Sequence, residues 1–363
     1  MKTNPVKLLL VALLSTFIFH PSSLLAQGAL TPPGAPAPTM KTLDQVEPRI
    51  PIGISTTPGD ATAIFIITNS GSYYLTGNVY GQTNESGIVV AADNVTIDLC
   101  GYALIGSTTN SQDGIRPSGT HQTITIRNGV ITGWGGNAIN ASVFGFPMGA
   151  SLNRCVYEDI VAHDNGGGIF AGPSSSIFRC VSRNNNGAGI WLSNSSGVCQ
   201  DCLSDSNQGD GIYCFEGATV IHCSVQGNTG IGINCGNSQH TIIGCNVRNN
   251  GGGGIYAYIT LVRDCNIDGN TGYGVSIAYG SMIEGCNIGN TSGSGILGGW
   301  GGKSLIHGNN IHDNTVGITL NNAGNSIYGN TLRNPTNLNV GTGNSAPSSS
   351  DPTTAGPWYN IVL

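Results

Sequence analysis

A Gly-Ile pair, Gly-Val in one unit, returns about every 21 residues through most of this chain, and no other feature restricts its fold as strongly. The glycines stand at 168, 189, 211, 232, 254, 274, 295 and 317, so the gaps are 21, 22, 21, 22, 20, 21 and 22. Looser units begin near Gly87, Gly114 and Ala138. Within a unit the apolar positions alternate. Ile169, Ile190, Ile212, Ile233, Ile255, Val275, Ile296 and Ile318 are followed two places on by Ala171, Leu192, Cys214, Cys235, Ala257, Ile277, Gly298 and Leu320. A second apolar column runs through Ile177, Cys199, Val220, Ile242, Val262, Ile283, Ile306 and Ile327. A period of two is the signature of strands, and no segment shows a helical period. Helical leucine-rich repeats have similar lengths, but their dense Leu pattern is absent. The expected fold is all-β, a single right-handed parallel β-helix over residues 58–340 with one coil per repeat of about 21 residues.

Six cysteines, Cys180, Cys202, Cys223, Cys245, Cys265 and Cys286, hold the same place in successive units, and Asn309 and Asn330 take that place in the next two. Coils stack at the strand separation of ~4.8 Å, so these side chains form one line. Their alternation with inward positions turns the line toward the core, where a thiol behaves as a small hydrophobe. A ladder of bridges or metal ions is the alternative. Parallel side chains suit the disulfide dihedral poorly, and eleven cysteines cannot all pair, which leaves partial bridging open. A second ladder, Asn185, Asn207, Asn228, Asn250 and Asn270, follows five places after each cysteine. Asn290 is one place short and Asn314 resumes the series. Stacked asparagines satisfy the backbone of a buried bend.

Residues 1–26 have Lys2 and Lys7, an apolar run from Leu8 to Phe19, and a small-residue end at Ala26. This is the layout of a secretory signal peptide, with an apolar run too short to span a bilayer. The expected product is not membrane-spanning and lies in the periplasm, at the cell surface or outside the cell. Residues 27–57 read as a Pro-rich extended leader and 341–363 as a loose tail. Charged residues are only 9% and the net charge is −6, which argues against nucleic acid as a partner.

"GSYYLTGNVYG", "GIVVAADNVTIDLCGYALIGS" and "ITIRNGVITGWGG" resemble the first coils of the pectate-lyase-like β-helix superfamily. The leader is similar to that of secreted bacterial members. The resemblance covers nearly the whole chain after residue 26 and implies the same fold. It implies function only weakly, since this fold carries lyases, hydrolases, epimerases, tailspikes and adhesins. Asp113 in "NSQDGI" and Asp210 in "NQGDGI" stand where polygalacturonases place an acid before a Gly-Ile strand. That family's Asp-Asp, Gly-His-Gly and Arg-x-Lys elements are missing, as is the Asp-Pro-His of alginate epimerases. Four coils separate Asp113 from Asp210, about 19 Å, too far for an inverting carboxylate pair.

Candidate sites follow from the outward positions. Phe170, Trp191, Tyr213, Asn234 and Tyr256 come two places after successive unit glycines, which sets three aromatic rings in a row on one face. In polysaccharide-processing relatives the equivalent sheet lines the substrate groove, so the resemblance implies polysaccharide as the partner and Phe170, Trp191, Tyr213 and Tyr256 as the binding residues. The alternative is that the segment between Ala138 and Gly168 covers the stripe with Phe144 and Phe146. His163, Asp164 and Asp210 are the candidate catalytic residues of a lyase or hydrolase. No metal site is assigned. Calcium is an option through Asp201, Asp205, Asp210 and Glu216, although solvation of these acids is favoured. A column of Arg183, Asp205, Gln226, Arg248 and Asp268 reads as cross-strand charge pairing, as does Arg263 with Glu284. Polysaccharide binding, with or without turnover, and a non-catalytic structural or adhesive role both remain open, as does the oligomeric state.

Overall fold

A computed structural model describes residues 48–107, 111–141, 151–193, 196–353 and 355–363. The expected signal peptide, most of the expected leader, and Phe144 and Phe146 lie outside the described residues. Arg49–Leu363 form one continuous solenoid. It has a 14-stranded sheet on one side and a 25-stranded sheet supplying the other two walls of each coil. The coil from Gly189 shows the plan, with strands Ile190–Leu192, Val198–Gln200 and Leu203–Asp205. Each pairs in parallel, in register, with its counterpart one repeat later: Ile190↔Ile212, Cys199↔Val220 and Ser204↔Val225. Both inward apolar columns are buried, and most of their members have no exposed surface. No described segment forms a helix.

The solenoid extends past both expected ends. Ile50–Pro51, within the leader, pairs in parallel with Gly71–Tyr74. The tail adds Ser348–Ser349 and Asn360–Val362, and the latter pairs with Thr331–Arg333. Alternating polarity did not mark the tail as strand, because its pairing depends on one buried residue, Asn360.

Each coil turns three corners, and each corner strands an amide that cannot join a sheet. A buried side chain from the next coil accepts from it. At the first corner Asn185, Asn207 and Asn228 donate their backbone N–H to Oδ1 of Asn207, Asn228 and Asn250, at 3.1, 3.0 and 3.1 Å. The series begins earlier than expected, at Asn165, whose Oδ1 accepts Trp134 N–H. Thr291, not Asn290, continues it, donating N–H to Asn314 Oδ1. Asn290 sits one place before, in a left-handed conformation that its short polar side chain tolerates.

The cysteine column is the second corner and performs the same task with sulfur. Cys180 and Cys245 donate N–H to Sγ of Cys202 and Cys265, both at 3.4 Å. Oxygen then replaces sulfur, as Cys286 donates to Asn309, Asn309 to Asn330 and Asn330 to Asn360. No disulfide links the eleven cysteines. The residue before each rung is left-handed: Arg179, Asp201, His222, Gly244, Asp264, Gly285, Gly308 and Gly329 all have φ between 51° and 67°. The recurrent Gly-Cys pair is thus a bend residue followed by a rung. The unit glycines answer a different demand, since a Cβ at Gly189 would run into Ser204 Oγ and Asn207 Nδ2 at the far end of its own coil.

A third ladder was not foreseen. Cys155 donates N–H to Ser175 Oγ, Ala218 to His240 Nδ1, Thr260 to Ser281 Oγ, Ser304 to Asn325 and Asn325 to Asn344. Its rungs change residue type from coil to coil, so no column stands out in the sequence. His240 is the titratable rung. Its Nδ1 accepts Ala218 N–H, so the ring is neutral there, and burial pushes its pKa down to about 4.

An unfolded histidine binds a proton near pH 6.5, whereas folded His240 resists until about pH 4, so stability falls as the pH drops through that window. The expected loss is on the order of 3 kcal/mol. Urea midpoints at pH 7 and pH 4.5 will show it, and His240→Asn, the rung used at Asn325, will flatten that part of the profile.

Candidate functional site

The outward positions of the 14-stranded sheet form a register-aligned column, Arg116, Asn140, Phe170, Trp191, Tyr213, Asn234, Tyr256, Ser276 and Leu297. Inward neighbours Ile190 and Leu192 are fully packed, which forces Trp191 out. Phe170 and Trp191 have ring centroids 5.2 Å apart, and Trp191 and Tyr213 4.4 Å, each tilted by 41°. The rings are half-buried and not exposed as expected, because each covers the next. Tyr256 shares the column but is separated from Tyr213 by Asn234.

A parallel column flanks the rings on their N-terminal side. Gly167 and Ala188 lie beside Phe170 and Trp191, so this flanking column sets no bulky side chain against these two rings. Beside Tyr213 stands Asp210, and three coils on is Tyr273. Burial, then the nearby Asp210 carboxylate, raise the Tyr213 phenol above its ordinary range. The same causes, with Tyr256 added, push Tyr273 up to about 12. Both phenols therefore stay protonated donors at neutral pH. The repeat analysis missed Tyr273. Its signal was the extra glycine in "GGGGI", since Gly253 is left-handed at φ 123° and a Cβ there would strike the Tyr273 ring.

Asp210 and Asp113 repeat one local design. Asp210 accepts Ile231 N–H at 2.7 Å and Asn234 Nδ2 at 2.8 Å. Asp113 accepts Asn137 N–H at 2.7 Å and Asn140 Nδ2 at 3.0 Å. Each carboxylate ties its coil to the next, and burial raises the pKa of Asp113. His163 and Asp164 lie on the opposite side of the first corner. His163 ends strand Val156–His163 with Nδ1 2.6 Å from Asp164 Oδ2 and 3.1 Å from Thr132 Oγ1. Asp164 is the left-handed residue before the Asn165 rung and is well exposed. By register, Asp210 stands two coils beyond His163, an axial offset of about 10 Å. The fold does not bring these three together.

The acids considered for calcium do not converge either. Asp201 faces His222 at 3.7 Å, and Asp205 bonds Ser206. Among the described residues only two groups of three metal-capable side chains form, Cys199 with Cys202 and Cys223, and Cys214 with Cys235 and His240, all buried. The expected charge ladder is also redistributed. Arg179 makes a two-point contact with Asp159 at 2.8 Å, Arg248 bonds Gln226, and Arg263 turns to Asp264 at 3.5 Å although Glu284 is its register partner. Exposed long side chains choose nearby partners more freely than register alone implies.

If Asp210 is a structural tie, Asp210→Ala will cost about 1–3 kcal/mol by leaving Ile231 N–H unpaired. Asp164→Asn, which keeps a residue suited to its bend, will stay within about 0.5 kcal/mol. Chemical denaturation of the two variants makes the comparison.

Sequence and structure comparisons bear on this arrangement. The family described as "Right handed beta helix region" matches residues 62–240, 231–332 and 258–353. No curated protein matches the sequence. Among solved structures, the Azotobacter vinelandii mannuronan C-5 epimerase AlgE6 A-module is similar with a TM-score of 0.53 at 15% identity, over 81% of this chain and 90% of that one. The periplasmic alginate epimerase AlgG has a TM-score of 0.52 at 9% identity, over 86% and 81%. The Agl-KA catalytic domain has a TM-score of 0.51 at 11% identity, over 81% and 62%. Likenesses at such low identity speak to the fold alone.

Proposed function

Because this chain belongs to the right-handed β-helix family, we propose that its work is done on an outer sheet face, and that it is an exported protein that binds polysaccharide there. The observation that carries this reading is the run of three touching rings, Phe170, Trp191 and Tyr213, on an outward column where, among the described residues, Gly167 and Ala188 flank the first two on their N-terminal side. Pyranose rings present apolar C–H faces that stack on such a platform, while polar groups at its margin bond the hydroxyls. Asn234 and the Tyr213 phenol supply that margin, and Tyr256 offers a further ring two coils on. The names of two structural neighbours, a mannuronan epimerase and an alginate epimerase, support a polysaccharide as the ligand. The signal-like N-terminus and a periplasmic neighbour support export.

Turnover is the second reading, favoured by the protonated phenols Tyr213 and Tyr273 near Asp210. It places a lyase or hydrolase centre on Asp210, with His163 and Asp164 across the first corner, at the end of a strand of the 25-stranded sheet.

Affinity electrophoresis through gels cast with plant, algal and bacterial polysaccharides, alginate included, tests both. The expected result is retardation by at least one polymer, weakened tenfold or more in Trp191→Ala, equivalent to about 1.4 kcal/mol. Unchanged polymer length marks a binding protein. Shortened polymer marks an enzyme, and Asp210, His163 and Asp164 are then the residues to substitute. Neither retardation nor cutting overturns the glycan reading in favour of a structural or adhesive rod.

A further inference from the structure

Ladder duty accounts for most of the buried thiols, but Cys199 has no such duty. It lies in the strand Val198–Gln200, in a column otherwise filled by Ile177, Val220, Ile242, Val262, Ile283, Ile306 and Ile327. Its sulfur nevertheless points toward two rungs. The Sγ atoms of Cys199, Cys202 and Cys223 lie within 4.8 Å of one another, and Cys199 to Cys223 is 3.8 Å. The three residues are 0%, 3% and 1% exposed.

We infer that Cys199, Cys202 and Cys223 form a buried three-sulfur site for a soft monovalent cation of the Cu(I) class. With one edge of 3.8 Å and no edge above 4.8 Å, an ion equidistant from the three sulfurs sits within about 2.6 Å of each, which small side-chain adjustments bring to the ~2.3 Å of a metal–thiolate bond. Zinc requires a fourth ligand in a closed site, and the described residues place only three in this group. Hard cations require oxygen ligands, whereas an all-sulfur set selects Cu(I). Binding is proton-for-cation exchange. Each S–H that becomes an S–Cu bond releases one proton to solvent, and no electron moves.

The other group, Cys214, Cys235 and His240, does not suit a metal. His240 Nδ1 already accepts Ala218 N–H, which puts the ring proton on Nε2. Metal on Nε2 would move that proton to Nδ1, against the amide, and metal on Nδ1 would displace the amide.

The sulfurs are sealed from solvent, so the ion enters while coils form. The test is to unfold the reduced full chain, refold it anaerobically with Cu(I) held as its acetonitrile complex, desalt it, and measure copper content and X-ray absorption. One copper per chain with three sulfur neighbours at about 2.3 Å is expected, with a raised melting temperature. Cys199→Val restores the aliphatic column and should fold yet retain less than a tenth of the copper, with Cys199→Ala as the second variant. Cys286→Asn, three coils along the ladder, should retain the full equivalent. No copper in the native sequence, equal copper in the Cys199 variants, or loss in Cys286→Asn overturns the site.

Discussion

The hydrogen bond from a corner amide to a side chain of the next coil is the interaction on which this solenoid depends. Sheets satisfy their own backbones, but three bends per coil leave amides that neither strand nor water can reach. An unpaired buried donor costs about 1–3 kcal/mol, and many coils repeat the problem. The answer is an acceptor at the same place in every coil, so that each rung serves the one before it. Asparagine is the fullest solution, since Oδ1 accepts and Nδ2 reaches a carbonyl, as Asn207 does with Asn185 N–H and Ser182 O. Sulfur is a weaker acceptor that serves the second corner until Asn309 takes its place. Histidine serves once and brings a pH dependence with it.

Meeting the backbone's needs from inside leaves the outer columns free to vary. Outward residues along the 14-stranded sheet change from Arg116 to Asn140, then three aromatics, Asn234, Tyr256 and Ser276, without disturbing the buried isoleucines beneath. A binding surface can therefore be set on this scaffold without cost to the core. The limits come where outer and corner residues share work, as at Asp113 and Asp210, whose carboxylates tie adjacent coils while standing beside the stripe.

Much of this was legible in the order of residues, and the misses have physical causes. The cysteine and asparagine ladders were visible because the same residue recurs at the same interval. The third ladder was not, because serine, histidine and asparagine all offer an acceptor of suitable reach and so share no letter. Asn290 imitated a rung because asparagine suits both a rung and the left-handed bend before it. The rings of Phe170, Trp191 and Tyr213 were placed on the correct face, but their mutual cover followed from side-chain tilt. Tyr273 joined the neighbourhood of Asp210 only through a three-coil stagger over a glycine.

The sequence by itself determined the coil length, the inward columns, and two of three corners, because a parallel solenoid stacks like on like and repetition in the chain becomes adjacency in space. Only the tertiary structure decided which unlike residues meet. Cys199 with Cys223 and Asp210 with Asn234 each lie about one coil apart and share no column, and Ala218 with His240 share a column but not a residue type. Their contacts depend on how far a side chain reaches across a corner or along a sheet, a distance that spacing alone does not contain.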